Sequence, residues 1–404
     1  MILANKHYLA LALASALLAS GCSSDDDDDN GLDGVPNAGS DVSFAPSSMI
    51  NNLGDNIILA GYQDLDTRGG VLNDSLQALM ADPSDQNLDA AQAAWKETRV
   101  AWESGEGHIF GPVDSLETDP FLDSWPLNTA DLESFLNGNS AITPETIRNA
   151  GTDVQGFHTI EFLLFGDGIS DNDKTAAELT SAELDYLSAL GIVFKERTEE
   201  LLSAWTTQYD PDNANSGPYI DQFKSPGTSS VYVSSAAVVE ELVNGIIGII
   251  DEVGNGKIAD PMGDSLAAAD TSLVESQYSW NSLTDFHNNI QSVRRLYTGL
   301  AAADGSDTGS NGIYDFVAAH STTLSDSILT QINDSMDRIA LIDGDDDPST
   351  TDIADTAQQV PFRTAITTED GRARVQSAVE ALSALQSTLE TEVLPLIDAT
   401  AFTE

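Results

Sequence analysis

The sequence predicts an all-α protein built from two helical bundles. Apolar residues recur at helical spacing over several long stretches of the 404-residue chain, whereas the sustained alternation that is typical of half-buried strands is scarce. Glycine and proline concentrate between these stretches, where they indicate interhelical turns. After an N-terminal leader and tether, about 360 residues remain, which on length alone is enough for two domains with separate cores.

The chain begins with the pattern of a lipoprotein signal peptide at residues 1–21. Lys6 is followed by an apolar run over residues 8–18 and by small residues at 19–21, directly before Cys22. The run is too short to cross a hydrocarbon core of roughly 30 Å as a stable helix. Cys22 is the only cysteine, so no internal disulfide can form. Its thiol is expected to carry a lipid, and intermolecular pairing is the alternative.

Lipidation of Cys22 would hold the mature protein on a membrane, because each buried CH2 of an acyl chain contributes about 0.8 kcal/mol. Ser23 stands at the position where an aspartate would indicate retention in an inner membrane. We therefore expect a lipid-anchored protein of the cell envelope, on the outer membrane and facing the periplasm or the cell surface.

Residues 22–46 are predicted to be a disordered acidic tether. They are polar and include the run Asp25–Asp29, whose like charges repel and bury no apolar surface. A cation-binding acidic cluster is the alternative interpretation of this run. The whole chain has a formal net charge of −50, with 66 acidic residues against 16 lysines and arginines. This balance excludes nucleic acid as a partner, because phosphate binding needs a basic face.

We place the first bundle at residues 47–210 and the second at 231–404, joined by a linker loop at 211–230 that is rich in turn-forming residues. Helical patterns cover residues 182–205, 234–253, 313–342 and 368–397. In the first bundle one apolar stripe of an amphipathic helix consists of Leu88, Ala91, Trp95, Thr98 and Trp102.

The chemistry concentrates in the segment GFHTIEFLLFG at residues 156–166. On a helix His158 and Glu161 lie three residues apart, so the imidazole and the carboxylate project from one face. Their neighbours are apolar on nearly every side, which predicts a buried helix. Burying an unpaired carboxylate costs several kcal/mol, so a cation, a metal ion or a proton must accompany Glu161.

Candidate partners for these two residues lie on the predicted helix that contains Trp95. Arg99, Glu103 and Glu106 form a polar ridge at helical spacing. One interpretation is a buried ion pair between Arg99 and Glu161, with His158 hydrogen-bonded in the core. The other is a metal site of His158, Glu161, Glu103 and Glu106, whose imidazole nitrogen and carboxylate oxygens suit Fe or Zn. Spacing alone leaves both interpretations open.

Several blocks in a fixed order resemble the imelysin family, also known as insulin-cleaving membrane peptidases. The first half contains AWKETRVAWESGEGHIFGPVDS, SWPLN and the motif GxHxxE, formed by Gly156, His158 and Glu161. The second half contains NGKIADPMG at residues 255–263 and VESQYSWNSLTDFHNNIQSVRRLYTG at residues 274–299. The resemblance therefore extends over nearly the whole mature chain.

This resemblance implies two four-helix bundles related by an internal repeat, with a site near their junction, in an envelope lipoprotein linked to iron acquisition. The implied partners are a metal ion or a small iron ligand and the iron-uptake proteins of the envelope. Periplasmic components of ferrous-iron importers, which are similar, have an acidic pair at the positions of Glu103 and Glu106. Some iron-regulated members have a histidine where this chain has Leu283, whereas Asp285 of the same motif is retained.

Three classes of function follow from these observations. The first is a metal-binding lipoprotein without catalytic activity, and the second is a metal-dependent peptidase, as the name of the family suggests. A zinc peptidase of the HExxH type needs two histidines one helical turn apart, and the sequence contains neither this motif nor a GxSxG nucleophile. Binding is therefore favoured over catalysis. The third class is a non-catalytic helical module that binds a partner protein.

Overall fold

Helices make up nearly all of the regular structure in the computed structural model, as the sequence predicts. The structure describes residues 42–138, 141–229, 231–301, 311–345, 347–351 and 359–403. All of these residues belong to one compact unit that spans 41–404. The predicted signal peptide, Cys22 and the acidic run lie outside the described residues. No helix in the described part of the chain is both long enough and apolar enough to cross a membrane.

The first half of the described chain is organised around three long helices. The helices of this half are α1 (Ser47–Asn52), α2 (Ala60–Ala81), α3 (Asp85–Glu103), α4 (Pro112–Ser115), α5 (Thr118–Asp123), α6 (Thr129–Leu136), α7 (Pro144–Arg148), α8 (Gly156–Phe165), α9 (Ser181–Thr206) and α10 (Tyr219–Lys224). Helix α2 packs against both α3 and α9, and α8 packs against α3 and α9. The predicted stripe is confirmed, because every one of its five residues is buried on α3.

The second half has α13 near its centre. Its helices are α11 (Ser235–Asp251), α12 (Asp260–Met262), α13 (Ser282–Thr298), α14 (Ile313–His320), α15 (Thr322–Ala340), α16 (Phe362–Ala365), α17 (Glu369–Thr388) and α18 (Leu394–Asp398). Helix α13 contacts α11 and α15, and α17 contacts α11 and α15. Helix α13 also packs against α3, which brings residues from the two halves of the sequence together.

Wider and tighter helical turns interrupt or extend these helices. The π-helical segments are Leu53–Leu59, Glu252–Ala259 and Leu389–Val393. The 3-10 turns are Glu106–His108, Thr152–Val154, Ala176–Glu178, Leu266–Ala268, Thr271–Leu273 and Leu341–Asp343. Each π-helical segment continues directly from an α-helix and passes into the next one. π-Helical turns are rare in proteins, and many of those that occur lie at functional sites.

The structure differs from the sequence-based expectation in three places. The predicted helix 313–342 is two helices, because the Ser321 side chain accepts a hydrogen bond from the Leu324 backbone and caps α15. Within the predicted linker 211–230, residues Tyr219–Lys224 form α10, whose Phe223 is buried against Trp205. At the end of the predicted tether, Val42–Phe44 form a strand. The division into two bundles stays a prediction.

Two short strands join the beginning and the end of the described chain. Strand β1 (Val42–Phe44) pairs in parallel with β2 (Thr400–Phe402), with Val42 opposite Thr400. Phe44 and Phe402 both pack against the ring of Phe316, at centroid distances of 5.5 and 5.9 Å. Three residue pairs are too short a ladder to be recognised by alternation in the sequence.

Candidate functional site

A cluster of charged side chains lies where α3, α5 and α8 meet residues of the second half of the chain. We call this cluster the charge centre. Its members share burial and direct ion-pair or hydrogen-bond contacts, and they are Arg99, Glu103, Glu106, Asp123, His158, Glu161, Lys257, Glu275 and Asp285. Six carboxylates thus surround two permanent cations and one histidine.

Helix α8 supplies the imidazole and one carboxylate, as predicted from the GxHxxE motif. His158 Nδ1 lies 2.9 Å from Glu161 Oε2, and both side chains are fully buried. Gly156 begins the helix with a φ of +71°, and a Cβ atom there would lie 2.1 Å from the carbonyl oxygen of Leu122. Only glycine tolerates this approach, which places α8 against the end of α5, beside Asp123.

Glu161 is held by a residue from the second half of the chain. Its Oε1 atom accepts hydrogen bonds from the backbone nitrogen of Ser279 at 2.8 Å and from Ser279 Oγ at 2.7 Å. Its Oε2 atom contacts His158. Both carboxylate oxygens therefore already have partners, so Glu161 acts by orienting the imidazole.

The other ring nitrogen of His158 points into the charge centre. His158 Nε2 lies 3.1 Å from Asp123 Oδ1 and 3.7 Å from Glu275 Oε1, but its geometry satisfies no hydrogen bond. Burial disfavours the charged imidazole, yet the Asp123, Glu161 and Glu275 carboxylates raise the pKa of His158 well above its ordinary value. These carboxylates therefore favour the imidazolium form of His158.

Arg99 is buried and forms ion pairs with carboxylates from both halves of the chain. Its guanidinium contacts Glu103 and Asp123, and its Nη2 atom lies 2.9 Å from Glu275 and 3.1 Å from Asp285. The predicted pair between Arg99 and Glu161 is not among the ion pairs of the described residues, so that interpretation had the wrong partner. Glu161 is paired with His158 and Ser279 instead.

Glu103 and Glu106 lie beside each other, although not on one helix as predicted. Helix α3 ends at Glu103, and Glu106 lies in the following 3-10 turn, after Gly105, a residue that disfavours helix. Asn289 Nδ2 on α13 donates to both carboxylates, at 2.7 Å in the case of Glu106. Lys257 Nζ lies 3.0 Å from Glu106 Oε2 and 3.6 Å from Glu103 Oε2.

The environment divides these carboxyl groups into two classes. Burial raises the pKa of Glu103 to about 8, and burial together with the Glu103 carboxylate raises the pKa of Glu106 well above its ordinary value. Burial acts in the same direction on Asp123 and Glu275, but the nearby cations outweigh it. Arg99 and His158 lower the pKa of Asp123, and Lys257 and His158 lower the pKa of Glu275 to about 2.

Two triads of the charge centre bring ligand atoms close enough together that they could hold a metal ion. In the first, His158, Asp123 and Glu275 each offer one ligand atom, and all three atoms lie within 4.8 Å of one another. Glu103, Glu106 and Asp123 form the second triad by the same measure. Of the four ligands predicted from the sequence, His158 thus belongs to one triad and Glu103 and Glu106 to the other. Glu161 belongs to neither.

Sequence reasoning missed Asp123, which belongs to both triads, and it missed Glu275 and Lys257. A signal for Lys257 was present, because it continues the apolar stripe of Ile246, Ile250 and Val253 at helical spacing. A lysine on the buried stripe of a helix needs an anionic partner. No periodic pattern marks Asp123 or Glu275 in the sequence, and only the fold brings them to the charge centre.

Asp285 lies in the charge centre, as the retained motif position suggests. It contacts Arg99 and accepts hydrogen bonds from Ser276 Oγ and from Asn281 Nδ2. Ser279 and Asn281 also line a surface cleft of ≈ 790 Å³ together with Asn172, Trp280 and Thr284. The cleft gives room for a small molecule next to the hydrogen-bond partners of Glu161 and Asp285. Leu283 is buried and offers no ligand atom at the position where some relatives have histidine.

Comparison with known proteins relates this chain to a family over most of its length. The imelysin family model matches residues 58–389, which include every member of the charge centre. The chain belongs to the imelysin family. Iron-regulated protein A from Synechococcus elongatus is similar to this imelysin, with 27% identity over 352 residues that cover 87% of this chain and 86% of the relative.

Two solved structures resemble this imelysin over most of its length. The crystal structure of a candidate iron-regulated protein A precursor from Parabacteroides distasonis has a TM-score of 0.73 and 26% identity, and the match covers 88% of this chain and 95% of that chain. An imelysin-like protein from Psychrobacter arcticus, for which the match covers 88% of this chain and 96% of the other, has a TM-score of 0.62 and 14% identity. The second likeness supports the fold alone.

Proposed function

We propose that this imelysin binds one iron ion in the charge centre and takes part in iron acquisition as a lipid-anchored protein of the cell envelope. The observation behind this proposal is the excess of buried carboxylates over cations. Six carboxylates face Arg99, Lys257 and His158, and two triads that share Asp123 present ligand atoms within 4.8 Å of one another.

A bound cation would relieve the electrostatic cost of this arrangement. Buried charges remain stable only with partners, and an uncompensated buried ion costs several kcal/mol. At neutral pH the raised pKa of Glu103 keeps a proton on a group that a metal ion would bind as a carboxylate. Metal binding therefore replaces protons and repulsion with coordination bonds, and it should stabilise the fold.

The donor set is one imidazole nitrogen with several carboxylate oxygens, which suits Fe or Zn. Iron is favoured because two similar proteins are named for their regulation by iron. His158, Asp123 and Glu275 would hold the ion from one side, and Glu103 and Glu106 would hold it after they lose their protons. Glu161 would fix the orientation of the imidazole through its contact with His158 Nδ1, which leaves Nε2 to bind the ion.

Attachment to the envelope rests on the sequence before residue 23. Cys22→Ser should release the protein from membranes or leave it unprocessed, because no thiol remains for the acyl chain. Membrane fractionation and lipid labelling in the native host test this expectation. A lipid-labelled Cys22→Ser protein in the membrane fraction would contradict it.

Calorimetric titration of the full mature protein with Fe2+ under anaerobic conditions, and with Zn2+, tests the metal site. A single ion per chain should bind, and His158→Ala or Asp123→Asn should each weaken binding at least about tenfold, equivalent to about 1.4 kcal/mol. Glu196→Gln is the matched control, because this carboxylate is 45% exposed and forms a surface pair with Arg148. Wild-type protein that binds neither ion would overturn the proposal.

The same samples test the peptidase that the family name suggests. Metal-loaded wild type should leave an unfolded protein substrate intact, because a zinc peptidase needs an open position for water and a base, whereas the ligand atoms of this centre are buried. Cleavage by the wild type that is abolished by a chelator and by His158→Ala would establish catalysis in place of simple binding.

A further inference from the structure

Lys257 occupies an unusual place for a lysine. It lies in the π-helical segment Glu252–Ala259, between the apolar residues Val253 and Ile258, and its side chain is only 6% exposed. Lysine is almost never buried to this extent unless it is paired. A π-helical turn is wider than an α-helical one, and such turns recur at functional sites.

Four carboxylates surround the ammonium group of Lys257 within ion-pair distance. Nζ lies 3.0 Å from Glu106, 3.4 Å from Glu275 and 3.6 Å from Glu103, all of which are buried. The fourth is Glu252, at 3.7 Å, whose side chain is 49% exposed. The ammonium therefore lies between one carboxylate that faces solvent and three that face the interior.

We propose that Lys257 is the internal counter-ion of the metal-free centre, and that a metal ion enters past Glu252 and displaces the ammonium toward it. This inference rests on the metal site proposed above. A metal ion bound by Glu103 and Glu106 would take the place next to those carboxylates that Nζ now occupies. Two cations in that space repel, so the ammonium must leave as the ion arrives.

The two permanent cations differ in their freedom to leave. Arg99 is fully buried, is held by four carboxylates, and lies over the ring of Phe157 at 4.9 Å. Lys257 has a flexible four-carbon stem, and its outermost carboxylate already faces solvent. Arg99 is therefore the fixed positive charge of the centre, and Lys257 is the exchangeable one.

This arrangement has two measurable consequences. Because metal and ammonium compete for the same carboxylates, Lys257 weakens metal binding below what the ligands alone would give. Lys257 also becomes accessible when metal binds, which a purely structural lysine would not. The first consequence is a matter of affinity, and the second is a matter of chemical reactivity in the wild-type protein.

Zn2+ titration against a chromogenic competitor chelator tests the affinity. Lys257→Met should bind Zn2+ at least about tenfold more tightly than the wild type, equivalent to about 1.4 kcal/mol. Lys224→Met is the matched control, because it removes the same charge from a surface pair with Asp55, and it should leave the affinity unchanged. Lys257→Arg, which keeps a bulky cation in place, should bind no more tightly than the wild type.

Amine labelling followed by peptide mass spectrometry tests the displacement without any mutation. Labelling of Lys257 should rise several-fold when the wild type is loaded with Zn2+, whereas labelling of Lys224 should stay constant. This measurement decides the matter even where Lys257→Met folds poorly. If that variant folds only when Zn2+ is present, the ammonium has the counter-ion role that we assign to it.

The outcomes separate this inference from the function on which it rests. Absence of Zn2+ and Fe2+ binding in both wild type and Lys257→Met would overturn the metal site itself. Wild type that binds metal, with equal or weaker binding by Lys257→Met and no change in Lys257 labelling, would leave the metal site standing and overturn the displacement of Lys257.

Discussion

Two π-helical segments of this imelysin have the same pattern of buried positions but differ in what surrounds one of those positions. In the first segment the buried residues are Leu53, Gly54, Ile57 and Ile58. At the same spacing, the second segment buries Val253, Gly254, Lys257 and Ile258. The two patterns differ in chemical character at one position, where isoleucine in the first segment corresponds to lysine in the second.

What lies opposite each segment explains the difference. A Cβ atom on Gly54 would meet the side chains of Ile220 and Phe223, so this part of the first segment packs against apolar side chains. The second segment packs beside the charge centre, where Lys257 finds four carboxylates. The same local backbone is therefore part of an apolar core in one half of the chain and part of the charge centre in the other. The residues that face each segment determine which of the two it is.

The largest effect is expected when a lysine is placed in the first π-helical segment. Ile57→Lys should lower the free energy of unfolding by roughly 5 kcal/mol or more, because the ammonium would be buried without a carboxylate. Urea denaturation followed by circular dichroism measures the loss, and Ile57→Leu is the control of similar volume. A loss of less than about 1 kcal/mol would show that the first segment tolerates a charge as a surface site does.

Removal of Arg99 tests how far Lys257 alone can compensate the carboxylates of the charge centre. Arg99→Leu should cost about 3 to 5 kcal/mol of stability in the metal-free protein, because four carboxylates lose their shared partner. Arg148→Leu, which breaks a surface pair with Glu196, should cost no more than about 1 kcal/mol. Equal losses in the two variants, measured by denaturation at pH 7, would contradict the account of the charge centre.

A smaller effect should come from the residue that orients Glu161. Ser279→Ala removes the hydroxyl that donates to Glu161 Oε1 and leaves the backbone donor in place. The expected loss is about 1.5 to 3 kcal/mol, the usual value for a hydrogen bond to a charged group. Ser75→Ala is the control for the assay, because the Ser75 hydroxyl donates only to the carbonyl of Leu72 in its own helix.

The smallest predicted effect is a dependence of the protein's stability on pH. It comes from the titratable groups of the charge centre, whereas the buried residues of the first π-helical segment have none. The raised pKa values of Glu103, Glu106 and His158 mean that the folded protein binds protons more tightly than the unfolded chain. Their contribution is therefore complete below the pKa values of the unfolded chain and is lost as the pH rises through the folded ones. Asp123 and Glu275, with lowered pKa values, act in the opposite direction only in more acidic solution.

Unfolding of the metal-free protein should accordingly become easier by at least about 1.4 kcal/mol between pH 5 and pH 8, the equivalent of one pKa unit. Metal affinity should rise over the same range, because binding releases the proton of Glu103. Denaturation at a series of pH values, with and without Zn2+, measures both. Burial lowers the pKa of His108 and His287, which opposes this trend below pH 6.5. Metal-free stability that increases between pH 7 and pH 8 would therefore show that the raised pKa values do not govern this centre.

Much of the fold was predictable because helices leave a periodic record in the sequence. The stripe on α3 and the patterns over α9 and α11 identified these helices to within a few residues, and the pattern over 368–397 covers α17 together with the π-helical segment and α18 that follow it. The break at Ser321 was missed, because the apolar spacing continues through it and only the hydrogen bond to the Leu324 backbone ends the periodicity. The strand Val42–Phe44 was missed because its partner is at the opposite end of the chain.

The sequence by itself determined the helical class, the position of His158 and Glu161 on one face of a buried helix, and the need for a cation, a metal ion or a proton beside Glu161. These are local properties, fixed by spacing, burial and the conformational limits of each residue.

Only the tertiary structure decided which charges meet. It turned Glu161 toward Ser279 and brought Asp123, Glu275 and Lys257 to the positions beside His158, Glu106 and Glu103. These residues lie far apart in the chain, and each forms its contacts because α3 packs against α13 and α8 packs against α5. Electrostatic interactions depend on distance in space, which spacing along a sequence fixes only within a single helix.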